Sequence, residues 1–284
     1  LFILICYLLI PISEVDYILK IDYDVSILLA PVCLNSSVPK NSNNSKDFSN
    51  TEPQIKILDN DLNKETLNQS SSIISPNDLN SKLGPDGKTP LFDYVQEGLV
   101  GLLLGDGSLV KKYKGGGTYF KYAQSTIHSD YLFFVFNLFK ELGVVLMKSP
   151  SLGTSTVKGK TYNYYTFTTQ SLKTWNELYD RWYQSKLKII PENIFSTLTP
   201  IGLAFWLMDD GGWTKNGIHL NTNFFSRSEV EILINVLNSK YGLKCTIHSR
   251  NRIYIWTSSV PALIELVKPH IHLSMIRKIT PTKK

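Results

Sequence analysis

Two stretches 104 positions apart constrain this chain more than anything else in it: residues 99–107 (LVGLLLGDG) and residues 203–211 (LAFWLMDDG). In each, an apolar run long enough for two to three helical turns ends in a carboxylate, Asp106 or Asp210, followed by glycine. A helix C-terminus carries partial negative charge, so an aspartate there costs a few tenths of a kcal/mol to about 1 kcal/mol unless a cation lies close. One copy alone reads as the polar end of a core helix closed by Gly107 or Gly211. Two copies in register read as the halves of one two-fold site with a cation at its centre.

The segments after each motif repeat in the same order. Residues 119–126 mix aromatic and β-branched side chains with polar ones at near-alternating spacing, which predicts a strand. Residues 129–142 place Tyr131, Phe134, Val135, Leu138 and Leu142 on one helical face, closed by Gly143. A Gly/Ser/Lys loop at 151–160 leads to a second strand at 161–169 and a helix at 172–183. In the second copy the spacing predicts a strand at 217–225 and a helix at 226–241 with Ser228 as its cap. A hairpin across Arg250 and Asn251 and a last helix at 260–271 follow. Strands that succeed one another through short turns favour a duplicated α+β unit of antiparallel sheets over a doubly wound parallel sheet.

Charge separates this repeat from what precedes it. Residues 1–90 carry 7 Lys and Arg against 11 Asp and Glu, whereas residues 91–284 carry 23 against 13. A basic surface rich in Tyr and Thr favours a polyanion, because neutralising phosphates releases counterions. Residues 1–12 are apolar but too few to span a bilayer alone, so no stable membrane association is expected. Residues 35–88 shift to Asn, Ser, Asp, Lys and Pro and read as a linker or tail, with the turn signal 84–87 before an ordered start near Pro90. The expected organisation is therefore 1–89 as a hydrophobic start plus low-complexity region, 90–195 as the first unit and 196–284 as the second. Cys6, Cys33 and Cys245 are odd in number and lack metal-pair spacing, which argues against a disulfide framework or a zinc site.

The chemistry follows from the pairing. Small residues at 101, 105, 202 and 204 would let two helices cross closely, bringing one carboxylate from each copy to the crossing. Two aspartates so placed repel, and divalent cations with oxygen ligands, Mg²⁺ above all, keep both ionised. Metal ions in such a site activate water and stabilise the leaving oxygen in phosphodiester hydrolysis. Gly115, Gly116 and Gly117 lack the lysine and helix of a phosphate-binding loop.

Residues 99–107 and 203–211 resemble the paired signature of LAGLIDADG homing endonucleases, in the two-motif arrangement of the monomeric intron-encoded members. The likeness covers residues 92–280 and extends to residues 199–212, Leu220 to Thr222 and Met275 to Lys278, as in the mitochondrial branch of that family. The resemblance implies a pseudo-symmetric pair of αββαββα units whose two sheets form a saddle in the DNA major groove, with a mitochondrial location. Carried over by residue, it makes Asp106 and Asp210 metal ligands, with the backbone carbonyls of Gly105 and Asp209 as further contacts. It places Lys188 and Lys278 where basic residues position water or stabilise charge; Gln124 and Asn221 are weaker candidates for holding the water or the scissile phosphate. Phe205 and Asp209 depart from the signature, which has small residues there.

Long polar or basic side chains on the strands and turns supply the candidate DNA face: Lys111, Lys112, Lys114, Tyr119, Lys121, Thr161, Asn163, Tyr165, Thr168, Asn223, His248, Arg250 and Arg252, with Asn221 beside them. The leading expectation is a site-specific, Mg²⁺-dependent endonuclease on double-stranded DNA. The alternatives are an RNA-binding maturase that assists splicing of its host intron and a non-catalytic DNA-binding regulator.

Overall fold

The computed structural model describes residues 82–281 apart from residues 114, 215 and 216. The apolar start at 1–12, the low-complexity patches and Lys114 lie outside the described residues.

Each motif run folds as the helix its apolar pattern predicts: α1 (Leu91–Leu104) in the first half, and in the second a helix opened by Thr199, whose side chain accepts a hydrogen bond from the Gly202 N–H, with Pro at its first position. After α1 come β1 (Ser108–Lys111), β2 (Thr118–Ser125), α2 (Ser129–Glu141), β3 (Ser151–Val157), β4 (Lys160–Thr168) and α3 (Asn176–Trp182). A two-strand hairpin of β5 (Tyr183–Gln184) and β6 (Leu187–Lys188) and the short α4 (Ile194–Thr197) connect the halves. The second half is α5 (Pro200–Asp210), β7 (Gly211–Thr214), β8 (Gly217–Leu220), α6 (Arg227–Tyr241), β9 (Cys245–His248), β10 (Arg252–Trp256) and α7 (Val260–Val267). Each half thus reads αββαββα, and the two four-stranded antiparallel sheets share one order, β1-β2-β4-β3 and β7-β8-β10-β9.

Several local expectations shift. The segment read as a loop at 151–160 is largely strand β3, an edge strand with exposed residues on both faces, so no apolar alternation marked it. The cap of α6 is Ser226, not Ser228: the Ser226 side chain accepts from the Glu229 N–H and Glu229 reaches back to the Ser226 N–H, a capping box. Glu229 also accepts from the Ile190 N–H at 3.0 Å, tying the connecting segment to the second half. The ordered fold begins before Pro90. The Gly84 N–H donates to the Thr89 carbonyl at 2.7 Å and the Leu91 N–H to the Lys82 carbonyl at 2.8 Å.

One hydrophobic core runs through both halves. Its centre is the contact between α1 and α5. Gly98 and Gly101 of α1 and Gly105 just beyond its end form a stripe, and Gly202, Phe205 and Asp209 occupy the matching positions of α5. A Cβ added at Gly101 would lie 1.9 Å from the Gly202 carbonyl oxygen, one at Gly98 2.9 Å from the Phe205 ring, and one at Gly105 2.6 Å from Asp209. The two residues that depart from the signature are therefore accommodated by glycines facing them across the crossing. Among the described residues no helix is long and apolar enough to cross a membrane.

The backbone contact at Gly101 makes a direct stability test. Gly101→Ala should destabilise the fold by about 2 kcal/mol or more in urea unfolding. Gly212→Ala, whose added methyl meets nothing within 4 Å, should stay within about 0.5 kcal/mol of wild type. Equal stability of the two variants would contradict the close crossing.

Candidate active site

The crossing of α1 and α5 delivers three aspartates to one place, and each is held differently. Asp209 turns into the interface. Its carboxylate accepts from the Asp106 N–H at 3.1 Å and from the Tyr122 hydroxyl at 2.7 Å, so the second half is bonded directly to the first. Burial holds its carboxyl well above the usual carboxylate range, with repulsion from Asp106 adding to the effect. Asp106 is exposed and accepts from the Gln124 amide at 2.6 Å. The same amide lies 3.0 Å from the Tyr122 hydroxyl, making a chain Asp106, Gln124, Tyr122, Asp209. Asp210 is pushed up to about 7, first by burial and then by Asp106, against the pull of Lys278 and Lys188. No hydrogen bond to its carboxylate is made among the described residues.

Two lysines answer the electrostatic difficulty at the helix ends. The Lys188 ammonium donates to the carbonyls of Leu103, Gly105 and Gly107 at 2.8, 3.3 and 2.7 Å. That of Lys278 donates to the carbonyls of Asp209 and Gly211 at 3.1 and 2.6 Å. Each half thus ends with a lysine that closes the exit of a motif helix, where a cation is favoured. Burial pulls Lys188 down to about 8 and moves Lys278 in the same direction, while the neighbouring carboxylates resist. Gly107 and Gly211 provide room rather than left-handed backbone. A Cβ at Gly107 would meet Phe120 at 2.6 Å, and one at Gly211 the Leu207 carbonyl at 2.4 Å.

Asp106, Asp210, Lys188 and Asn221 line one cavity of about 670 Å³. Asn221 enters it just beyond β8, its N–H donating to the Asp210 carbonyl at 3.2 Å. It is not the counterpart of Gln124. Extending the strand registers, by two pairs in the first half and one in the second, sets Asp106 opposite Ala123 and Asp210 opposite Asn221, so Gln124 corresponds to buried Thr222. Sequence reasoning missed Tyr122 and the inward turn of Asp209. The available signal was that Asp209 faces Gly105 in the 104-residue register.

The donor set suits a hard cation. Among the described residues no three His, Cys, Asp or Glu side chains gather into a closed metal cage. Carboxylates from both halves do face the cavity with carbonyls beside them, and Mg²⁺ binds through one or two carboxylates while keeping waters and phosphate oxygens. The Asp210 carboxylate, largely enclosed and without a hydrogen-bond donor, is the observation that a cation would account for.

The candidate DNA face divides by strand alternation. Tyr119 and Lys121 point away from the helices on β2, with Thr168 paired beside Lys121. His248 and Arg252 pair on the open face of the second sheet, Arg250 forms its turn with φ 62°, and Lys112 and Asn223 are exposed in loops. Lys111 instead shares the face of buried Leu109. It binds Asp180 of α3 at 3.1 Å and covers the Tyr179 ring at 5.4 Å. Tyr165 also turns to the helix side, 5.4 Å from the Phe133 ring. Thr161 and Asn163 share its side of β4 by alternation but are exposed, because that end of the strand has no helix over it. Lys111 and Tyr165 are thus removed from the expected open face by the register of their strands.

A pseudo-symmetric pair of αββαββα units whose motif helices bring carboxylates to a shared cavity defines a class of two-motif nucleic-acid enzymes. Comparison with known proteins agrees. The sequence profile of the LAGLIDADG DNA endonuclease family matches residues 96–263. The cytochrome b mRNA maturase bI2 of Saccharomyces cerevisiae is 32% identical over 231 residues, 77% of this chain and 53% of that protein. The chain therefore spans about half the length of that relative. Its counterpart of the same name in Debaryomyces hansenii is 35% identical over 196 residues, 67% of this chain and 75% of that protein. The probable intron-encoded endonuclease 1 of Wickerhamomyces canadensis is 33% identical over 230 residues, 73% and 96% of the two chains. Among solved structures, the homing endonuclease I-WcaI bound to its DNA recognition sequence superposes with a TM-score of 0.61 at 29% identity, covering 73% of this chain and 99% of that one. The chain belongs to the LAGLIDADG endonuclease family.

The Asp210 environment sets a pH signature in metal-free protein. Its carboxyl holds a proton to about 7 when folded against an ordinary 3.8. Its contribution to stability is therefore complete below about pH 4 and is lost as the pH rises through 7. Asp210→Asn should unfold at a higher temperature than wild type at about pH 8 and at the same temperature at about pH 4, measured with chelator present. Parallel pH profiles for the two proteins would contradict this environment.

Proposed function

We propose that this chain is an intron-encoded, site-specific endonuclease that acts as a monomer and makes a Mg²⁺-dependent double-strand break in DNA. The observation that carries the reading is the enclosed, donor-free Asp210 carboxylate sharing a cavity with Asp106 of the other half. Asp106 and Asp210 hold the cation, and the carbonyls of Gly105 and Asp209, each with a lone pair beyond its lysine bond, stand beside them. A bound Mg²⁺ supplies an activated water and neutralises charge on the leaving oxygen. Gln124 orients the Asp106 carboxylate, and Tyr122 keeps Asp209 turned into the crossing. Lys188 and Lys278 fix the helix ends and place positive charge where phosphate becomes more negative. Asn221 offers the cavity a polar group for water or phosphate. Lys112, Lys114, Tyr119, Lys121, Thr168, Asn223, His248, Arg250 and Arg252 supply phosphate and base contacts, while Thr161 and Asn163 do so from the far end of β4.

A second reading, an RNA-binding maturase serving the host intron, is favoured by one observation: two of the relatives carry that description. The cytochrome b message in their names supports a mitochondrial location. Retention of both motif aspartates, which a splicing factor does not require, supports the nuclease.

The full chain should linearise plasmid carrying the uninterrupted insertion site when Mg²⁺ is present. Asp106→Asn or Asp210→Asn should lower cleavage by at least about a thousandfold while leaving DNA affinity within about threefold of wild type. Affinity should also fall steeply with salt. Tight, specific binding to intron RNA with no cleavage of insertion-site DNA would replace the nuclease with the maturase.

A further inference from the structure

The turn after the second strand of each half carries a large apolar side chain that lies outside the core. In the second half this turn runs from Thr222 to Phe225, and the Phe225 N–H donates to the Thr222 carbonyl at 3.1 Å. Phe225 is buried, whereas Phe224 at the tip is 99% exposed. In the first half a single 3-10 turn, Thr126–His128, takes the same place between β2 and α2. Ile127 on that turn is 80% exposed. Single exposed apolar residues are ordinary on a protein surface. These two differ in occupying the same connection of both halves, next to the motif aspartates.

Both tips stand beside the cleavage site, and both turns are braced. Phe224 lines the rim of the cavity that holds Asp106, Asp210 and Lys188. Its turn is fixed by the Thr222 hydroxyl, which donates to the Asn251 carbonyl, and by the Asn251 amide, which donates to the Phe225 carbonyl at 3.3 Å. The Ile127 turn is held across the halves: Arg277 Nη2 lies 3.3 and 3.2 Å from the two ring nitrogens of His128. Arg277 directly precedes Lys278, the lysine that closes α5. Burial and the cations of Arg277 and Lys278 hold His128 below the usual histidine range while Asp106 pulls the other way, so this turn too is within electrostatic reach of the site. A tip already held rigid loses little freedom when a partner covers it.

We propose that Phe224 and Ile127 are paired wedges that enter the base stack of the bound duplex, one on each side of the cleavage centre, and bend it where it is cut. The inference rests on the reading of this chain as a DNA endonuclease. An apolar side chain that parts a base step unstacks it and kinks the duplex. The face of the parted base is apolar surface on which such a side chain, an aromatic ring above all, can be buried. Charge favours the duplex over a second copy of the chain as the occupant. Residues 91–284 carry 23 Lys and Arg against 13 Asp and Glu, so two copies repel while a polyanion is drawn in. Phe224 and Ile127 are thus positioning residues, which act on the duplex around the scissile phosphates and not on the reacting atoms.

The test places 2-aminopurine, a base that brightens when it leaves the stack, at successive positions across the insertion-site duplex and adds the full chain with chelator present. Wild type should brighten it about threefold at one step on each side of the cleavage centre. Phe224→Ala should abolish one of these signals and Ile127→Ala the other, with unfolding temperatures unchanged because both side chains are exposed. Phe224→Leu should keep most of its signal. With Mg²⁺ and excess protein, each alanine variant should cut at least about tenfold more slowly than wild type. Signals or cutting rates that survive both alanine substitutions, or specific binding by wild type with no brightened position, would overturn the wedges and leave the endonuclease standing. A dimer in light scattering that Phe224→Ala converts to monomer would overturn them in favour of self-association. Wild type that neither binds nor cuts insertion-site DNA would overturn the endonuclease reading, and this inference with it.

Discussion

Everything else in the molecule depends on how closely α1 and α5 approach. The distance is set by the absence of side chain at Gly98, Gly101 and Gly105, which lets a backbone carbonyl, an aromatic ring and a carboxylate of the other half occupy the space where methyl groups would stand. Close crossing does two things at once. It makes one core from two copies, and it brings the two helix ends, each with an aspartate, to a common cavity. A looser crossing would separate the carboxylates.

The approach has an electrostatic cost, and the structure meets it with a nested arrangement. Two helix C-termini and three carboxylates converge, all of one sign. Lys188 and Lys278 neutralise the helix ends through their terminal carbonyls. Asp209 is satisfied by Tyr122 and the Asp106 N–H, and Asp106 by Gln124. Asp210 alone is left without a donor while Asp106 repels it. The remaining negative potential is thereby concentrated at the cavity, where a hydrated divalent cation would neutralise it.

What was legible in the sequence was what repeats or alternates. The motif helices announced themselves through unbroken apolar runs ending in Asp-Gly, and α2 and α6 through a buried stripe. The duplicated αββαββα order followed from the resemblance rather than from periodicity. Neither short β1 nor β3, whose Ser and Thr are exposed, has an apolar pattern to read. The capping box of α6 was available in the spacing of Ser226 and Glu229, and the orientation of Lys111 in its alternation with Leu109. The role of Asp209 was not available locally, because its partner Tyr122 comes from the other half, 87 residues away. Contacts of that kind exist only once the crossing is known.

The central claim, that the two halves make one cation site, is tested most directly by titrating the full chain with Mn²⁺ in a calorimeter at about pH 8, where Asp210 is ionised. The account predicts that Asp106→Asn and Asp210→Asn each weaken binding by at least about tenfold, since each removes a carboxylate from the shared site. Binding that survives unchanged in either variant would contradict it.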